Sequence, residues 1–268
     1  MNTRLDFHFG EQGVKDFQNY KYGVDNNYMQ QVGMGFLELD WGENALGKIR
    51  VHTETGDIEL DSIEMILGVN FGRKTYQGIH GLDISGYLHD KEYVTYEEAY
   101  KNYVALMTEL NNKGWKQYFM EGMPRYAAND NIKRLYSGST GSDSSQIFNY
   151  EEWYKLWKKT GNYGVSVYKD GVIVFINMSD RSDTVSTEID TSKYVKIEVS
   201  YRFNTLRYWA RNSVENSDDM SAEEFKKAFD EYILDAYESR LSMEQDEKAE
   251  GYQIDENYVD PDYWKYAK

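Results

Sequence analysis

The chain has 268 residues, 40% of them apolar and 25 of them tyrosine, with a formal net charge of −16. That size and apolar share suit one α+β body, or two halves sharing a sheet, while the charge argues against binding nucleic acid or an anionic membrane surface and favours a basic partner. With no cysteine, disulfides, thiol nucleophiles and thiolate metal sites are excluded, and no run of eighteen apolar residues is present to span a membrane.

The start, MNTRLDFHFGEQG, has neither an apolar run nor a small-residue cleavage site. No signal peptide is therefore expected, and the chain reads as cytoplasmic, or as periplasmic if an export signal has been removed. His8 falls in this start, which reads as mobile. GKIRVHTE alternates Ile49, Val51 and Thr53 with Lys48, Arg50 and His52, the period of a half-buried strand. DIELDSIEMILGV and QGIHGLDISGYLH follow as further strands.

A helix is predicted near 96–113. TYEE (Thr95 to Glu98) supplies its N-cap, and Tyr96, Ala99, Tyr100, Tyr103, Val104, Met107 and Leu110 form one apolar stripe. Gly114 supplies a left-handed stop, so Trp115 folds back over the helix end at the start of the next strand. SGSTGSDSS (137–145) reads as a flexible loop between halves. NYEE (Asn149 to Glu152) starts a short helix near 150–159 carrying Trp153, Leu156 and Trp157. YGVSVYKDGVIVFINM is a hairpin turning at Asp170-Gly171, and KYVKIEVSYRF alternates as a strand. SAEE (Ser221 to Glu224) starts a helix near 222–241 with an inward stripe of Phe225, Phe229, Tyr232, Ile233, Ala236, Tyr237 and Leu241. From Glu244 onward no helical or strand period is visible. This tail holds eight acids and three lysines yet is rich in rings, so it is expected to pack on the body or on a partner.

Strands that precede helices within each half point to an α+β fold, with antiparallel sheets and amphipathic helices packed on them, in two similar strand-then-helix halves. The divisions read as 1–140, 141–245 and an acidic aromatic tail at 246–268, or as one continuous domain.

Little in the chain carries chemistry. It has no G-x-S-x-G elbow, no H-E-x-x-H and no phosphate-loop lysine. The paired glutamates 97/98, 151/152 and 223/224 are accounted for by helix starts. NDN (129–131) and NSDD lack the closing glutamate of a calcium loop. An acid–base site would need His80 and His89 to meet carboxylates in one cleft, and His52, His80 and His89 could converge only if their strands are neighbours. Trp115, Trp153 and Trp157 sit at packing positions, which leaves Trp41 and Trp264 for sugar stacking. No catalytic residues, metal site or cofactor are expected.

Residues 94–178 combine a helix ending LMTELNNKGW, the strand KQYF, the segment MPRY, the helix FNYEEWYKL and the hairpin YGVSVYKDGVIVFINMSDR. This order resembles a group of bacterial immunity-type proteins encoded beside type VI secretion effectors. Leu110, Gly114, Trp115, Trp153, Asp170 and Gly171 match, each in a packing or turn role, so the resemblance brings over no functional residues. It implies a non-enzymatic inhibitor of a cognate antibacterial toxin domain with a basic cleft. Acidic and aromatic side chains suit such a surface. The contacts expected are Asp255, Glu256, Tyr258, Asp260, Asp262 and Trp264 of the tail, with Asp40, Trp41 and Glu43. The alternative is a non-catalytic carbohydrate- or ligand-binding module.

Overall fold

The structure, a computed structural model, describes residues 3–20, 27–29, 34–42, 45–54, 56–71, 77–138, 141–182 and 189–266. The elements are β1 (Leu5–Phe7), α1 (Gly10–Asn19), β2 (Asn27–Met29), β3 (Met34–Asp40), β4 (Gly47–Thr53), β5 (Gly56–Phe71), β6 (Gly81–Tyr87), β7 (Val94–Thr95), α2 (Tyr96–Asn112), β8 (Lys116–Gln117), α3 (Asn131–Tyr136), β9 (Gly141–Ser142), α4 (Tyr150–Thr160), β10 (Asn162–Lys169), β11 (Val172–Asp180), β12 (Tyr194–Val195), β13 (Ile197–Thr205), α5 (Leu206–Asn212), α6 (Ala222–Ala249) and α7 (Tyr263–Tyr266). The fold is α+β. An eleven-stranded, mostly antiparallel sheet runs β1-β4-β5-β6-β13-β11-β10-β8, with β2 and β3 joining beside β5 and β9 beside β10. Because β6 pairs with β13, this one sheet crosses the boundary near residue 140.

Local chemistry explains the elements. Thr95 Oγ1 accepts the Glu98 amide at 3.2 Å and caps α2. Gly114, at φ +78°, ends it, and the Trp115 amide donates back to the Leu110 carbonyl at 3.0 Å. Asn149 and Ser221 both form complete capping boxes with Glu152 and Glu224. Asp170 (φ +45°) and Gly171 (φ +79°) make the two-residue turn of the β10–β11 hairpin. Ser62, at φ +59°, kinks the long strand β5, so that its first half pairs with β4 and its second with β3.

The kink coils the sheet. Gly10 exchanges backbone hydrogen bonds with Ile79, tying the β1–β4 edge to the start of β6. Lys113 Nζ, just past α2, donates to the Asp57 carbonyl of β5 at 2.6 Å. The alternating residues of β11 divide between two cores. Val172, Val174, Ile176 and Met178 face a large core with β4, β5, α2 and α4, and Ile173 and Phe175 face a smaller one with α5, α6 and the tail.

Several expectations need correcting. The start of the chain is packed: Phe7 and Phe17 are fully buried, and β1 pairs in parallel with β4. The 141–145 part of the serine-rich segment is not loose. Ser142 and Ser144 are buried, and β9 pairs with β10. Helix α6 continues to Ala249, eight residues beyond the predicted end. Its buried face there is occupied by Arg240 and Glu244, charged side chains that an apolar periodicity cannot register. Leu241, expected inside, is 55% exposed.

Candidate functional site

The tail is a strap across the smaller core. Its backbone pairs with residues 125–127: the Ala127 amide donates to the Gln253 carbonyl (2.9 Å) and the Asp255 amide to the Arg125 carbonyl (2.6 Å). Arg240, 3% exposed, knots three segments together. Its guanidinium donates to both oxygens of Asp260 (2.7 and 3.1 Å) and to the carbonyls of Met120 and Met123 (3.0 Å each). Arg125 grips the buried Glu244 at 2.8 Å. Such pairs are costly to desolvate and hold only when every donor and acceptor is used.

The predicted contact residues divide accordingly. Tyr258 packs edge-on to Phe119 (4.9 Å), and its hydroxyl accepts the Phe119 amide. Asp260 is committed to Arg240. Trp264 packs on Phe229 (5.3 Å) under Lys226 Nζ (4.6 Å). Asp255 accepts the Asn257 amide at 3.0 Å. Glu256 and Asp262 are exposed, with Glu256 paired to Lys248 at 2.8 Å. Asp40 and Trp41 belong to the far end of the sheet, where the end of β3 pairs with Met65, beside Ser85. They do not join the tail, which docks at the β10–β11 turn. Trp41 packs on Gly47, where an added Cβ would meet its ring at 2.5 Å. Glu43 lies outside the described residues. Trp41 and Trp264 are each partly buried, Trp41 against Gly47 and Trp264 against Phe225 and Phe229.

Sequence reasoning missed a feature at the Arg240 knot. Among the described residues six large apolar side chains are exposed, and five of them, Met120, Met123, Leu234, Leu241 and Val259, come from the three segments that meet there. Leu234, Tyr237 and Leu241 stand at i, i+3 and i+7 and share a stripe of α6. Tyr237 lies against Asp260, and burial pushes its hydroxyl up to about 12. Exposed carboxylates surround this stripe, and Asp235 and Glu238 have no cationic partner among the described residues. The only sequence signal was that Leu241 and Leu234 fall 7 residues apart near the edge of the predicted inward stripe.

The histidines separate. His80 and His89 flank β6, roughly 25–30 Å apart along an extended strand. His89 is structural: Nδ1 donates to the Lys91 carbonyl and Nε2 accepts the Ile197 amide (3.2 Å). Burial lowers its pKa. The coil of the sheet instead brings His8, His52 and His80 to one cleft of about 430 Å³, beside the β10–β11 turn and Tyr266. His8 stacks on His52 with ring centres 4.1 Å apart. Asp16, buried, accepts from His8 Nδ1 (2.8 Å) and from the His8 amide (2.9 Å). His52 places Nδ1 on Asp57 and Nε2 on Asp6, each at 2.9 Å. That hydrogen bond to His52 holds the Asp6 carboxyl below its ordinary value. Burial, followed by the nearby Arg207, pushes His80 down to about 4.

Among the described residues no three ligand-type side chains gather as a metal would require, and no helix is long and apolar enough to cross a membrane. Compared with known protein families, curated proteins and solved structures, the chain has no match.

Proposed function

We propose that this chain is an immunity protein that binds a cognate antibacterial type VI secretion toxin and inhibits it by occluding a basic active-site cleft. The observation that supports this reading best is the set of exposed apolar side chains on the three segments that meet at the Arg240 knot, beside the exposed carboxylates Asp235 and Glu238, which have no cationic partner among the described residues. Exposed apolar groups with a charged, mainly acidic rim fit a protein–protein contact, and Lys226 and Lys227, the cations beside Leu234, are themselves paired with Asp230 and Glu231. The excess of acid steers a basic partner, and the rings and aliphatics anchor it. Leu234, Leu241 and Val259 are the anchors, with Glu238, Asp235 and Asp262 pairing to lysine or arginine at the rim.

The tail's role as a strap decides how to test this. Deleting it would strip Tyr263 from the smaller core and confuse stability with affinity. The triple variant Leu234→Asp, Leu241→Asp, Val259→Asp changes only exposed positions. It should keep the wild-type melting temperature and weaken binding to the toxin domain encoded by the neighbouring gene by at least about tenfold. Protection of cells expressing that domain should fall with it. Full affinity in the triple variant would move the contact elsewhere. Failure of the wild-type chain to bind or protect would end the immunity reading.

A further inference from the structure

Arg207 stands apart among the described arginines. Arg4, Arg50, Arg125, Arg181, Arg202 and Arg240 each hold a carboxylate. Arg134 lies over the Tyr126 ring and Arg211 over the Phe225 ring. Arg207 is half-buried and, among the described residues, meets neither carboxylate, carbonyl nor ring, although the chain carries 46 acids. It lines the cleft that holds His8, His52 and His80.

We propose that this cleft binds a small molecule carrying a phosphate or carboxylate group, held by Arg207 and His8. The cleft's volume lies in the range of small-ligand sites. Arg207 offers a planar fork of donors suited to either anion. His8 is also oriented to meet the ligand. Its Nδ1 donates to buried Asp16 and its face rests on His52, so its Nε2, with no partner among the described residues, accepts from the ligand's donor group when the ring is neutral and donates to the anion when the ring is protonated. The positive field of Arg207 already reaches His80. Glu54 and Asp170 also line the cleft and oppose a bare anion. The ligand therefore carries a donor, hydroxyl or ammonium, besides its anionic group. This binding is separate from the toxin contact, which lies on α6 and the tail.

With only four histidines, ring-proton NMR resolves the question residue by residue. The intact protein is titrated with inorganic phosphate, glycerol 3-phosphate and glutamate. Saturable shifts are expected at His8 and His80, with His89 as a silent internal control. A response to glycerol 3-phosphate identifies the anion as phosphate, and a response to glutamate identifies it as carboxylate. Inorganic phosphate should bind more weakly than glycerol 3-phosphate because it lacks the two alcohol hydroxyls that reach beyond the anionic group. Arg207→Gln should weaken binding roughly tenfold to a hundredfold, and Arg202→Gln, at an exposed pair with Asp83, should leave it unchanged. Arg207 makes no internal bond among the described residues, so the variant's fold is not at risk. The proposal is overturned if none of the three probes gives a saturable shift, if His89 moves equally, or if Arg207→Gln binds as well as wild type.

Discussion

Against one face of the sheet, α2 and α4 stack Tyr103, Trp153 and Trp157 over Tyr163, with ring centres 5.7 to 6.0 Å apart. Neither indole N–H of Trp153 or Trp157 meets an acceptor among the described residues. Against the other face, Trp209 donates to the buried Glu121 at 2.9 Å, and so does the Tyr118 hydroxyl. Arg240 and Asp260, Arg125 and Glu244 close that side. The first face is held by area and dispersion, which depend on volume and not on direction. The second is held by directional bonds that fix where α6 and the tail lie. A surface meant to present particular side chains to a partner benefits from the second kind of support, and the exposed apolar cluster sits on that side.

Substitutions can break this contrast. Trp153→Ala should cost about 3–5 kcal/mol in denaturant unfolding. Trp153→Phe should recover most of that, because no hydrogen bond is lost. If Phe proves as harmful as Ala, the first face is not governed by volume. Arg240→Ala should cost about 3–4 kcal/mol, since Asp260 is left largely buried without its cation. The pair Arg240→Met, Asp260→Leu should recover part of that loss and not all, because the Met120 and Met123 carbonyls still lose their donor. A double variant no better than the single one would refute the assignment of Arg240 as a directional knot.

Acid sharpens the comparison from another side. The folded His80 titrates near 4, below its ordinary 6.5. The unfolded chain therefore binds the extra proton first, and stability present above pH 6.5 is lost as pH falls toward 4. At about 1.4 kcal/mol per pH unit, a fall from 6.5 to 4 is on the order of 3 kcal/mol. His89 acts in the same direction, so His80→Gln should flatten the decline without abolishing it. A decline unchanged in that variant would exclude His80 as a source. The smallest effect expected is Thr95→Ala, about 1 kcal/mol for one lost cap on α2, read as a small drop in melting temperature.

Much of this fold was legible in the sequence, because its signals are local. The caps Thr95, Asn149 and Ser221, the stop at Gly114 and the Asp170-Gly171 turn each act over a few residues, and the structure holds all of them. The apolar stripe of α2 packs as its spacing requires. What was not legible depends on partners distant in sequence. Arg240 and Glu244 extend α6 inward because Asp260 and Arg125 neutralise them, which no window along the helix can reveal. The three histidines of the cleft meet because β5 kinks at Ser62, a residue whose left-handed backbone nothing nearby announces. The tail's acids and rings suggested a segment that packs on the body or on a partner; Tyr258, Asp260 and Trp264 do pack on the body, through Phe119, Arg240 and Phe229.

Strand β11 lies between β10 and β13 and beneath both cores. Its amide protons are therefore shielded above, below and at each edge, and they should exchange with deuterium only when the whole molecule opens. That makes them remote reporters. A ligand or toxin that binds only the folded chain lowers the open population by mass action. The β11 amides should then slow in proportion to occupancy, even for a partner that touches only the outside of α6.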